Sequence, residues 1–113
     1  MASTVMIEEL RASLEVMRRT SVRVVDYEGT LFDVVFDIFT ADTFIAGIAT
    51  KILDGESIPQ DERVVVDRSP LVVKNSWIYE GRPFDLSAHP AILAVARAVE
   101  NTRALCCQII DAG

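Results

Sequence analysis

Residues Tyr27-Glu28-Gly29-Thr30-Leu31-Phe32-Asp33 recur as Tyr79-Glu80-Gly81-Arg82-Pro83-Phe84-Asp85, with five of the seven positions identical. A Glu-Gly pair between apolar runs is turn chemistry, because glycine reaches positive φ without a Cβ clash. The echo predicts two turns at the edge of a sheet. In a chain of 113 residues it points to one small domain, residues 1–113, built around hairpins. It carries no nucleophile, phosphate cradle or metal-ligand set.

Parity fixes the register expected for the first hairpin, residues 20–40. Phe32, Val34, Phe36 and Ile38 are even-numbered and apolar, as are Val22 and Val24, whereas Arg23, Asp33 and Asp37 are odd. A two-residue loop mixes these sets, and a three-residue loop over Glu28-Gly29-Thr30 keeps them on separate faces. Arg23 then lies diagonal to Asp33 and Asp37.

Helices flank this hairpin. Ile7, Leu10, Leu14 and Met17 make one helical stripe over residues 4–19. Ser3 or Thr4 is placed to cap it and Arg18-Arg19 to close it. Asp42 to Asp54 reads as a second helix stopped by Gly55, although its β-branched residues also suit a strand. A polar loop follows over 55–62. Arg63–Asp67 and Leu71–Val73 read as a second hairpin around Arg68-Ser69-Pro70, its second strand running on through Trp77 and Tyr79. The last helix is expected from Ser87 to Ile110, with Pro90 in its first turn; a break at Asn101 would instead turn 104–110 into a strand. The sum is an α+β domain, an antiparallel sheet of two hairpins packed against helices in the order α-β-β-α-β-β-α. That order resembles the small acidic dimeric secretion chaperones, and the resemblance implies a partner-binding dimer.

Charge narrows the partners. The net charge is −6, and between Arg23 and Lys51 stand five acids and no base. Such a field repels phosphate backbones, which excludes nucleic acid and suits a basic protein surface or a cation. Half of the residues are hydrophobic, a surplus for so small a domain that a second copy would cover. The apolar runs are too short to span a membrane, and no targeting segment opens the chain. The two cysteines, Cys106 and Cys107, are adjacent, so they form no disulfide framework and a reducing cytoplasm is the expected compartment.

Chemistry-bearing residues are sparse. Asp85, Ser87 and the only histidine, His89, superficially match a hydrolytic triad, but all three belong to one capping loop and triad members come from separate elements. Asp33 and Asp37 share a face as strand or helix, yet two carboxylates make an incomplete metal shell and Arg23 is placed to neutralise them. Cys106-Cys107 lies in an apolar stretch and reads as packing. Trp77, Tyr79 and Arg82 are residue types enriched at interface hot spots. No catalytic residue, metal ligand or cofactor is assigned. Asp33, Asp37, Trp77, Tyr79 and Arg82 are the candidate partner or ligand contacts.

The expected function is a non-catalytic interaction module, a small acidic homodimer that binds a protein partner in the manner of a chaperone or adaptor. One alternative is a small-molecule sensor or carrier with a pocket between sheet and helices beside Trp77 and Tyr79. Another is a small hydrolase or isomerase using Asp33, Asp37 or His89.

Overall fold

A computed structural model describes residues 3–69 and 72–112. Among these residues the chain is α+β. Four α-helices, α1 (Thr4–Arg19), α2 (Gly29–Leu53), α3 (Gln60–Arg68) and α4 (Pro90–Ala112), accompany a three-stranded antiparallel sheet. Its strands are β1 (Val72–Val73), β2 (Ser76–Tyr79) and β3 (Arg82–Asp85), hydrogen-bonded in that order. A single 3-10 turn, Val24–Asp26, precedes α2.

The expected hairpin over residues 20–40 does not form. Residues 29–53 are one continuous helix, which also absorbs the helix expected at 42–54. The alternation that suggested strands is half of a second pattern. Val34, Val35, Ile38, Ile45, Ile48 and Ala49 are the residues that α2 buries, and their spacing of three and four is helical. Phe36, which completed the alternating reading, faces solvent instead, as does Phe39. The β-branched threonines fit because Thr40, Thr43 and Thr50 each donate the hydroxyl to the carbonyl four residues back, at 2.9, 3.1 and 2.8 Å. Arg23 pairs with Asp26 at 3.7 Å rather than with Asp33 or Asp37.

The strand expected at 63–67 is likewise helical, forming α3 with Asp61 and Glu62 in its first turn, where they complement the helix dipole. Part of the expected turn at Arg68-Ser69-Pro70 falls on Pro70, which with Leu71 lies outside the described residues. The sheet is therefore a three-stranded meander, β2 shared between β1 and β3, and not two separate two-stranded hairpins. The element order that resembled the secretion chaperones is not present.

The two Glu-Gly pairs share a backbone feature and then diverge. Gly29 and Gly81 have φ of 60° and 75°. Glu80 is also at positive φ, and Tyr79 opposes Arg82, the geometry of a two-residue hairpin loop. After Gly81, Pro83 restricts Arg82 to extended backbone and then sits on edge strand β3. No proline follows Gly29, so Thr30-Leu31-Phe32 continues into α2.

The helices α1, α2 and α4 pack on one another, and α3 and β1 lie against α4. The core joins Leu10, Leu14 and Met17 of α1 to the buried face of α2 and to Ile92, Val95, Ala96, Val99, Cys106 and Ile109 of α4. Both terminal helices form where the sequence reading expects a helix, although α4 begins at Pro90 and not at Ser87. Ser3 caps α1, its Oγ accepting from the Met6 N–H at 3.2 Å. The helix α4 runs unbroken through Asn101 with Pro90 as its first residue. No helix among the described residues is long and apolar enough to cross a membrane.

Candidate functional site

Side chains alternate across a strand and repeat every three or four residues on a helix. Trp77 and Tyr79 therefore leave β2 on one face, and Asp33 and Asp37 leave α2 one turn apart. The fold brings these pairs together, since β2 packs on α2. The Trp77 indole is fully buried, and its N–H donates to Asp37 Oδ2 at 2.5 Å. Arg82 stands opposite Tyr79 at the hairpin end and is exposed. Four of the five expected contact residues thus form one cluster, with Arg82 at its rim.

The cluster is negative. The half-buried Tyr79 has its hydroxyl pKa raised, first by desolvation, then by the neighbouring Glu80, Asp33 and Asp37. Among the described residues, none of Asp33, Asp37 and Glu80 belongs to an ion pair. Nor do the described residues contain a group of three or more histidine, cysteine or acidic side chains placed to hold a metal ion.

The other candidates lie apart in role. Asp85 Oδ1 accepts the Ser87 N–H at 2.9 Å, and its bonds from Ser87 hold its carboxyl below the usual range. His89 donates its backbone N–H to Leu86 and accepts from Leu93 at the head of α4. Asp85, Ser87 and the His89 backbone thus make local bonds that lead the chain into α4. Cys106 is buried, and desolvation, with a smaller contribution from Cys107, pushes its thiol up to about 12. A thiol so held is an inert core group. Cys107 differs: its Sγ accepts from Arg103 Nη1 at 3.5 Å, and it lines a cleft of about 390 Å³ between α3 and α4 with Arg63 and Asp111.

One surface was not anticipated. Phe36 and Phe39 are 53% and 51% exposed, and Phe32 stacks on Phe36 with ring centroids 6.2 Å apart. All three lie on the outer face of α2, opposite Val34 and Ile38. Plotting residues 29–53 at helical spacing exposes this stripe, whereas strand parity hides it by merging Phe36 with the core residues. Compared with known proteins, the chain matches no family model, no curated relative and no solved structure.

Proposed function

We propose that the chain is a non-catalytic interaction module, a small acidic homodimer that binds a protein partner. The observation that carries this reading is the outer face of α2, where Phe36 and Phe39 stand half-exposed and stacked Phe32 extends the stripe. Contiguous apolar surface of this kind marks a contact site. The carboxylates of Asp33, Asp37 and Glu80, none of them in an ion pair among the described residues, border it beside Tyr79, so the protein surface that fits is apolar at its centre and basic at its rim.

The sensor or carrier reading has less support. The Trp77 indole is spent in the core and on Asp37, and neither the α3–α4 cleft nor the groove of about 340 Å³ between α1 and α4 is lined by Trp77 or Tyr79.

Light scattering over a concentration series, paired with a pulldown, tests the module. A mass that rises from 12.5 kDa toward twice that value and falls back with Phe36→Asp, with a partner captured by the native chain, is the expected result. A concentration-independent monomer that captures nothing removes the reading.

A further inference from the structure

The outer face of α2 is divided by size. The part from 32 to 39 carries Phe32, Phe36 and Phe39, and the part from 40 to 50 carries Thr40, Thr43, Gly47 and Thr50. Spacings of three and four keep them on one stripe. Glycine in mid-helix is unfavourable relative to alanine. A Cβ at Gly47 would meet nothing within 4 Å, so no neighbour within the chain requires the glycine there. What Gly47 provides is a notch on the outer face. The threonine hydroxyls around it already donate to carbonyls of their own helix, so covering this part leaves no donor unpaired.

We propose that this face packs on the same face of a second copy, antiparallel across a two-fold axis, with Phe36 of each copy seated over Gly47 of the other. The proposal rests on the homodimeric reading above and adds the surface and its orientation. An isologous contact must be self-complementary, and the size division makes it so: the bulky part of one helix meets the small part of its mate. The register that pairs Phe36 with Gly47 also sets Thr40 against Thr43 at the axis and brings Asp33 beside Lys51 of the second copy.

Charge selects the same orientation. Lys51 Nζ bonds both Glu62 oxygens at 3.0 and 3.1 Å, which leaves one of its three N–H donors for a further acceptor. Asp33 is exposed and without an ion-pair partner among the described residues. Arg18, which reaches Thr50 at 3.5 Å, adds a second positive group at the small end. A parallel pairing instead leaves Lys51 at the opposite end of the interface from Asp33 of the mate, so this charge pair is not made. In the antiparallel pair Glu28 and Asp54 approach only at the two solvent-exposed ends, where salt screens them.

Sedimentation equilibrium on the full chain and its variants is the test, with circular dichroism confirming the fold of each. Phe36→Asp and Gly47→Leu change exposed positions and are expected to weaken association at least tenfold. Asp33→Lys and Lys51→Glu are each expected to weaken it, and their combination to restore it. In a Cys107→Ser background, a mixture of Thr40→Cys and Thr43→Cys chains should cross-link faster than either alone. A dimer indifferent to Phe36→Asp and Gly47→Leu overturns this docking mode while leaving the homodimeric reading intact. A chain that stays monomeric to millimolar concentration overturns both. Shielding of the α2 face only when a different basic protein is added assigns the face to that partner and overturns the proposal.

Discussion

At the scale of single residues, the informative groups are polar atoms whose partners lie far away in sequence. Trp77 and Asp37 are forty positions apart, and no local pattern could have paired them; residue type alone drew attention to both. Asp37→Ala strands the buried indole N–H, and an unsatisfied buried donor costs about 1–3 kcal/mol. A lower urea midpoint at unchanged slope, with red-shifted fluorescence from the sole tryptophan, is the expected reading. Unaltered stability would show that the bond does not hold β2 to α2. Asp42 behaves oppositely. Partial burial raises its carboxyl pKa above 3.8, so the folded chain binds its proton more tightly than the unfolded chain. The stability tied to that proton is present below about 3.8 and is lost as pH rises through the raised value. Asp42→Asn should therefore stabilise at pH 7, by no more than about 0.5 kcal/mol given the solvent screening, and make no difference at pH 3. Paired urea titrations at the two pH values check it.

At the scale of elements, legibility followed the number of faces an element buries. The helices α1 and α4 were readable because amphipathic spacing and end signals agree: a serine cap and terminal arginines in α1, Pro90 at the start of α4. In α2, phenylalanines occupy the outer face as well as the flanks. Apolar residues at 32, 34, 36 and 38 satisfied a strand period while 34, 35 and 38 satisfied a helical one, and β-branched content tipped the sequence reading toward the strand. Packing against α1 and α4 over 25 residues outweighs that propensity. The Glu80-Gly81 turn was legible and the Glu28-Gly29 turn was not, because the proline that distinguishes them stands two residues beyond the second pair. The proximity of Asp33 and Asp37 did not depend on the reading of α2, since they share a face in a helix as in a strand. The link of this pair to Trp77 and Tyr79 and the outer stripe both required the correct helix.

The contact between α1 and α4 depends on a small polar group that the sequence did not announce. Ser13 and Thr102 hydroxyls meet at 2.7 Å in a buried setting, Asn101 donates to Ser13 at 3.0 Å, and Thr102 donates to the Ala98 carbonyl at 2.9 Å. The Thr102 proton is committed to Ala98, so the Ser13 hydroxyl donates to Thr102. Thr102→Val removes that acceptor and should cost about 1–2 kcal/mol. Adding Ser13→Ala to it should cost little more, because both buried partners are then apolar and the exposed Asn101 amide can donate to water; the double-mutant cycle by chemical denaturation measures this coupling. Additive losses would show that the two hydroxyls act independently.

At the scale of the whole molecule, the longest dimension is 43 Å against widths of 26 and 24 Å, and α2, about 37 Å long at 1.5 Å per residue, is long enough to run along most of it. One side of that helix supplies the core and the other presents Phe36 and Phe39 to solvent, with the Asp33 and Asp37 carboxylates beside the sheet. The central claim is that these rings meet another protein surface, first of all that of a second copy. Fluorine NMR on chain labelled with fluorophenylalanine tests it directly, because the five phenylalanines divide between the outer face of α2 and elsewhere. On dilution, the Phe36 and Phe39 resonances should move together toward a monomer limit while that of Phe84, on the sheet, stays fixed. Resonances of Phe36 and Phe39 that do not move over the whole dilution range, or a shift confined to Phe84, would contradict the account.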